Sequence, residues 1–285
     1  MKFKIMNRFY SSFLILLFFL INSCSNSSDA YNVMSFNIRL DVDSDGVNSW
    51  NNRKQEIVSI IKNQKIDILG IQEGLPSQIS YLTDELDEYD MIGEGRDGGN
   101  SGEYSAIFYN NQKLVLNDSE TFWLSKTPNV PSIGWDAALN RIATVGNFTV
   151  SKSNDKLIIY NSHFDHIGKI ARENSVDVIL KHIEKNNYLE SAIIVMGDFN
   201  SEPNETPILK LSEWLNDSFY EFPIEGPQGT FNGFDVNSEL KNRIDYIFTK
   251  IYSDFKLHTS YGKTLKWTLA IRPPSNCYFF FFLIN

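Results

Sequence analysis

Cysteine is almost absent from this chain. Only Cys24 and Cys277 occur in 285 residues, so no framework of internal disulfides holds it together. Positive charge is also short: 26 Lys and Arg stand against 35 Asp and Glu, a formal charge of −9. That balance excludes a broad basic surface for nucleic acid. Positive charge at an anionic ligand would have to be local, and a metal ion could supply it. The glycine-rich stretch 93–102 lacks Gly-Lys-Ser/Thr and follows no strand, so it is not a phosphate loop. No apolar run is long enough to span a bilayer comfortably. Internal repeats are missing, and no linker interrupts residues 31–260. What is present is 42% hydrophobic and 14% aromatic content, ample for the core of one large domain or two small ones.

The N-terminus stands apart from that core. Lys2, Lys4 and Arg8 make a basic start, the unbroken apolar run 13–21 follows, and Ile21-Asn22-Ser23-Cys24 closes it. This is the pattern of a signal peptide, and its ending resembles a bacterial lipobox with Cys24 as the lipidated first residue. The expectation is a leader over 1–23, a polar tether over 24–30, and a monomer lipid-anchored to the bacterial cell envelope, facing the periplasm or the cell surface. Without the leader, 23 basic residues face 35 acidic ones, a charge of −12.

The chain is organised around Met196-Gly197-Asp198-Phe199-Asn200. The run Ala192-Ile193-Ile194-Val195 before it predicts a buried strand, and Ser201-Glu202-Pro203 after it a turn. Asp198 and Asn200 then stand where a strand opens to solvent, their side chains pointing the same way on the period-two rule. A carboxylate and a carboxamide so placed can hold a hard cation, a phosphate oxygen or an attacking water. An Asx turn would use the same residues structurally.

Other buried strands end in the same fashion. One over 31–38 closes on Ser35-Phe36-Asn37, one over 66–71 on Gln72-Glu73, and one over 157–161 runs into Ser162-His163-Phe164-Asp165-His166. A late strand over 243–248 carries Asp245, with Arg243 on the same face. Further strands are predicted over 103–109, 114–122 and 141–150, and helices over 53–63, 77–86 and 171–185. The Asp/Asn/Ser/Gly stretch 41–48 lacks the glutamate that closes a calcium loop and reads as a solvated turn. Each polar strand end alone has an ordinary structural explanation. Together they suit one reaction: Glu73 binding Mg²⁺ or Mn²⁺ with waters, Asp198 activating a water, and Asn37, Asn200 and His163 donating to the developing negative charge.

With these stretches in family order over most of residues 31–260, the sequence resembles the endonuclease/exonuclease/phosphatase superfamily. Its members include pancreatic deoxyribonuclease, apurinic/apyrimidinic endonucleases, sphingomyelinases, inositol polyphosphate phosphatases and the deadenylases. The matching motifs are Ser35-Phe36-Asn37, Gln72-Glu73, Asn161-Ser162-His163, Gly197-Asp198-Phe199-Asn200 and Arg243-Ile244-Asp245-Tyr246-Ile247. The stretches 103–109, 121–125 and Gly134-Trp135-Asp136 resemble a bacterial secreted branch near the deadenylases. The resemblance implies an α/β fold, a four-layer sandwich of two mixed β-sheets packed face to face with flanking helices, over residues 31–265. It implies Glu73 as metal ligand, Asn37 supporting metal or phosphate, His163 on the phosphate, Asp198 as the water-activating acid and Asn200 as its transition-state partner. Asp245 matches the aspartate that orients a final histidine, and Glu103, Arg141 and His166 are candidates for the substrate cleft. The implied substrate is a phosphate ester: a nucleotide, an oligonucleotide or a small phosphoester.

One motif is missing. The family closes on Ser-Asp-His, whereas residues 266–277 hold no histidine and lead into a phenylalanine run. A one-base shift in suitably chosen codons for Ala270 onward reads Pro-Ser-Asp-His-Leu-Pro-Ile. The expectation is therefore a frameshifted tail over 266–285, an impaired phosphoesterase and a marginally stable chain. The rival expectation is a pseudoenzyme that binds phosphorylated ligands without cleaving them.

Overall fold

The structure, a computed structural model, describes residues 31–221, 228–233 and 240–251, and the backbone alone of 257–258 and 278–283. The expected leader, Cys24, the tether and most of the 266–285 tail lie outside the described residues. Among the described residues no helix is long and apolar enough to cross a membrane.

In chain order the elements are β1 (Tyr31–Asn37), α1 (Trp50–Asn63), β2 (Ile68–Gln72), α2 (Pro76–Glu85), β3 (Tyr89–Ile92), β4 (Ile107–Asn110), β5 (Leu114–Trp123), β6 (Ile142–Val150) and β7 (Lys156–His163). Then come α3 (Lys169–Lys185), β8 (Ala192–Asp198), α4 (Thr206–Ser212), β9 (Asn216–Asp217), α5 (Ser218–Glu221), β10 (Asp245–Lys250), β11 (Leu257–His258) and β12 (Tyr278–Leu283). One sheet runs β11-β1-β2-β4-β3, with β12 also on β1; the other runs β5-β6-β7-β8-β10-β9. Both are mixed: β1–β2 and β7–β8 are parallel, β2–β4 and β8–β10 antiparallel.

Strand periodicity explains the layering. In β1, Tyr31 and Val33 face the other sheet, while Met34 and Phe36 face α1 and α2. In β8, Ile194 and Met196 face inward, and Ile193 and Val195 face α3 and α4. Three separate apolar clusters result: helix on sheet, sheet on sheet, and sheet on helix. Each fully buried Ile, Leu or Phe in them contributes about 1.5–3 kcal/mol. This is the four-layer α/β sandwich expected from sequence. On α1 the buried Trp50, Arg53, Ile57, Val58 and Ile61 form its single inner stripe. The 41–48 stretch, expected as a plain turn, contains a 3₁₀ segment over Asp43–Asn48. Asp45 there takes a forked bond from Arg39 at 3.0 Å.

The two sheets are also joined by polar groups. Fully buried Asn161 on β7 donates to Ile71 O at 2.8 Å and Ala106 O at 2.7 Å, and accepts from Gln72 Nε2 at 2.6 Å. Gly70 makes room, since a Cβ there would lie 2.8 Å from Asn161 Oδ1. Asn161→Ala strips these partners at once. It is expected to cost about 2–4 kcal/mol, read as a lower urea midpoint at unchanged slope. A loss under ~1 kcal/mol would show that the bridge contributes little.

The phenylalanine run has its backbone over Tyr278–Leu283 paired parallel to the outer edge of β1.

Candidate active site

At one end of the sandwich the inward-facing positions change from apolar to polar. On β1 the series Tyr31, Val33, Ser35 ends at Asn37; on β7 Leu157, Ile159, Asn161 ends at His163; on β8 Ile194, Met196 ends at Asp198. Strand β10 runs the other way and begins at Asp245, directly opposite Asp198. Shared parity therefore points Asn37, His163, Asp198 and Asp245 into one space.

Glu73 does not follow from parity. It lies one step past the inward Gln72, so strand geometry would aim it outward. A left-handed backbone (φ 63°) turns it back, a strained conformation for a non-glycine residue. Its Oε1 then accepts from Asn37 Nδ2 at 2.9 Å and its Oε2 from the backbone N of Leu40 at 3.0 Å. Asn200 is a second left-handed residue (φ 47°). The expected strand-like alignment with Asp198 is replaced by a turn, because β8 has ended at Asp198. The turn still brings the pair together: Asn200 N donates to Asp198 Oδ1 at 2.9 Å. Gly197 permits the approach of the neighbouring strand, since a Cβ there would sit 1.9 Å from Ser162 O.

Asp198 is the centre of the cluster. It is 4% exposed, and Asn37 Nδ2 donates to its Oδ2 at 3.0 Å. Burial pushes its carboxyl up to about 6, against the pull of the Asn37 and Asn200 hydrogen bonds. Asp245 is 3% exposed. Burial first, and then the charge of Asp198, hold its carboxyl well above the usual range, partly offset by the Thr230 hydroxyl. Its Oδ2 is buried with no hydrogen-bond partner among the described residues. Arg243 does not join it: it lies before β10 and forks onto Asp217 at 3.1 and 2.6 Å.

His163 is neutral. Burial, followed by the nearby Arg141, Arg96 and His166, lowers its pKa well below the ordinary value. Its 3.8 Å approach to Asp198 is therefore not an ion pair. Asn200 Nδ2 donates to Phe164 O and reaches His163 Nε2, both at 3.0 Å. The ring proton then sits on Nδ1.

Beside His163 opens a recess lined by Arg96, Glu103, Asn140, Arg141 and their neighbours. Glu103 Oε1 pairs with Arg96 at 2.7 Å. Arg141 pairs with Asp165 at 3.3 Å and contacts His166 Nδ1 at 3.0 Å. The backbone amides of Gly168, Ile167 and Ala138 overcome the cost of burial and hold Asp165 down to about 2. Glu103 and Arg141 thus line the recess, whereas His166 is exposed beyond Arg141. His182 belongs elsewhere: it stacks on Phe122 and meets the Tyr160 hydroxyl. Sequence reading passed over Arg96, Asn140, Asp165 and Thr230. Asp165 stood inside a quoted motif, and Arg96 inside the glycine-rich loop.

Among the described residues no three His, Cys, Asp or Glu side chains form a ready cation cage. The donor set nonetheless fits a hydrated Mg²⁺ or Mn²⁺, which takes one or two carboxylates plus waters. Glu73, Asp198 and Asp245 bring three carboxyl groups together, and Asp245 Oδ2 has no partner among the described residues.

Comparison with known proteins gives a consistent picture. A model of the endonuclease/exonuclease/phosphatase family matches residues 34–254. A mannosyl-6-phosphatase of Bacteroides thetaiotaomicron is 37% identical, with a TM-score of 0.72, over 76% of this chain and 84% of that one. An endonuclease/exonuclease/phosphatase of Bacteroides vulgatus is 36% identical, with a TM-score of 0.73, over 75% and 85%. An uncharacterised protein of Acanthamoeba polyphaga mimivirus is 33% identical over 230 residues, 76% of this chain and 81% of its own length. With the family model covering nearly all of the described fold, the chain belongs to the endonuclease/exonuclease/phosphatase family.

Proposed function

We propose that this protein is a divalent-metal-dependent phosphoesterase that hydrolyses a phosphate ester by attack of an activated water. The observation that carries the reading is the meeting of Asn37, Glu73, His163, Asp198, Asn200 and Asp245 at one end of the inter-sheet layer. Asp198, with a carboxyl near 6, is mostly ionised at neutral pH and suited to take the proton of the attacking water. Asn200 holds Asp198 through its backbone N and His163 through its amide. The neutral His163 contacts the phosphoryl group, and Asn37 holds the carboxylates of Glu73 and Asp198 in place with its two amide protons. Glu73, supported by Asn37, would hold the Mg²⁺ or Mn²⁺, which supplies charge neutralisation at the phosphoryl group.

The metal assignment is tested by calorimetry of Glu73→Gln. Its Mg²⁺ affinity is expected to fall at least about tenfold from an already weak parent, since a single carboxylate carries most of the binding. Equal binding by the two proteins removes Glu73 from the site.

The phosphatase among the relatives supports a phosphate ester as substrate. The rival reading, a ligand-binding pseudoenzyme, draws support from residues 266–285, which hold no Ser-Asp-His, and from Asp245 Oδ2, which has no partner among the described residues. Lipid anchoring through Cys24 to the bacterial envelope is part of the proposal. Cys24→Ser is expected to leave the membrane fraction; retention there after carbonate washing argues against it.

A further inference from the structure

We infer that Gln78 is a positioning residue for Glu73: its amide joins the turn after β1 to the turn after β2 and so fixes the carboxylate that meets the cation. This rests on the metal-dependent reading of the site and adds the group that holds its ligand.

Glu73 accepts from Asn37 Nδ2 at 2.9 Å and from Leu40 N at 3.0 Å. Both donors come from the end of β1 and the turn that follows it. That turn is sharp, because Arg39 is left-handed (φ 57°). Asn37 Oδ1 accepts from Arg39 N at 3.0 Å, so the same turn also orients the Asn37 amide. Glu73 is left-handed as well. Neither Arg nor Glu adopts that backbone by its own preference, so both turns have to be held from outside.

Gln78 holds them together. It lies in the first turn of α2, behind Pro76, and is fully buried. Its Nε2 donates to Arg39 O at 2.9 Å, and its Oε1 accepts from Asp41 N at 3.0 Å. These two bonds grip the chain on either side of Leu40, whose N–H reaches Glu73. The same Oε1 accepts from Leu75 N at 3.0 Å, two residues past Glu73. A closed circuit results: Gln78, the 39–41 turn, the Glu73 carboxylate, the 73–75 backbone, and Gln78 again. Arg53 braces the first turn through Ile38 O at 2.8 Å and Arg39 O at 3.4 Å; the link across to the Glu73 turn runs through Gln78.

The residue type fits the joint. One side chain must accept from two backbone amides and donate to a carbonyl, which an amide does and a carboxylate, all acceptor, does not. With no exposed surface, Gln78 meets no substrate and acts through Glu73. Groups that orient a metal ligand in this way account for about 10- to 100-fold in metal affinity.

The test is Mg²⁺ calorimetry at pH 8 on the full chain, on Glu73→Gln, on Gln78→Met and Gln78→Glu, and on Gln78→Met combined with Glu73→Gln. Gln78→Met is expected to weaken Mg²⁺ binding about tenfold, while the metal-free variant still melts cooperatively. Added to Glu73→Gln, the same change is expected to cost less than about twofold, because the ligand it positions is gone; a residue acting only on the general fold would cost the same in both backgrounds. Gln78→Glu keeps the acceptor for Asp41 N and Leu75 N, and the start of a helix favours its charge, so it decides the matter if Gln78→Met folds poorly. A new carboxylate near a cation would by itself strengthen binding; with the bond to Arg39 O lost, binding is expected to weaken at least about fivefold instead. Parent affinity in the Gln78 variants, tighter binding by Gln78→Glu, or equal losses with and without Glu73 overturns the positioning role and leaves Glu73 as the ligand. No Mg²⁺ binding by the parent, or none lost in Glu73→Gln, overturns the metal assignment and this inference with it.

Discussion

Replacing residues 266–285 by a tail that reads Asn-Gly-Leu-Trp-Pro-Ser-Asp-His and continues as an apolar strand is expected to raise hydrolysis of bis-p-nitrophenyl phosphate by roughly 10²- to 10³-fold or more. The reason lies at Asp245. Its carboxyl is buried, pushed up by burial and by Asp198, and one oxygen has no partner among the described residues. A buried carboxylate without its partners is costly. The resemblance assigns that place to a histidine that donates to the scissile phosphate across from the attacking water. Such a donor acts mainly in the transition state, so its return should raise kcat more than it changes KM. The repaired chain is also expected to be more stable, because its new strand would be the one matched to the edge of β1 that the Tyr278–Leu283 backbone now pairs. The decisive comparison is of the two chains side by side, by rate and by urea midpoint. If the unaltered chain is as active as the repaired one, the frameshift idea is falsified and His166 becomes the first candidate for the missing donor. If the repaired chain binds phosphate but remains inactive, the pseudoenzyme reading gains.

In the repaired background Asp198→Asn is expected to abolish this activity, with a loss of roughly 10²- to 10⁴-fold for removal of a general base. Loss of activity alone would not separate a catalytic role from a structural one. Stability does. Asp198 has a folded-state pKa of about 6, above its ordinary 3.8. A carboxyl raised in this way adds most stability below its unfolded pKa, and that contribution is lost as pH rises through about 6. At pH 7 the ionised Asp198 therefore opposes folding, and it also repels Asp245. Asparagine keeps the shape and one of the two accepted hydrogen bonds, without the charge. In metal-free buffer at pH 7 the variant should melt at the parent's temperature or higher, and the parent should lose stability between pH 4 and pH 6 where the variant does not. An inactive variant with a lower melting temperature would point to a structural role.

Much of this fold was legible in the chain itself. The alternation of β1 and the apolar runs before Asn161 and Asp198 made strands, because a buried strand needs little more than side chains for both faces. The α1 and α3 helices followed from stripes such as Ile57 and Ile61. Less was legible where the signal was short. The four-residue β3 and the seven-residue α4 carry too few periods to stand out from their surroundings. The Arg96–Glu103 pair closes a single irregular loop and the Arg141–Asp165 pair spans 24 residues, and in neither does one partner announce the other.

The candidate site divides in the same way. Sequence alone determined which strands end in polar groups, since the change from apolar to polar along Ile194, Met196, Asp198 is a one-dimensional pattern. It also determined that residues 266–285 hold no Ser-Asp-His. Only the tertiary structure decided that those strand ends meet. Asp245 faces Asp198 because β10 pairs antiparallel to β8, a register set by side chains packed along both strands. Glu73 and Asn200 reach the cluster through left-handed backbone turns that no periodicity rule anticipates. Such conformations are held by the surrounding hydrogen bonds and packing rather than by the residue's own preference. The pKa values of Asp198, Asp245 and His163 were likewise decided in three dimensions, because desolvation depends on what the whole fold places around each group.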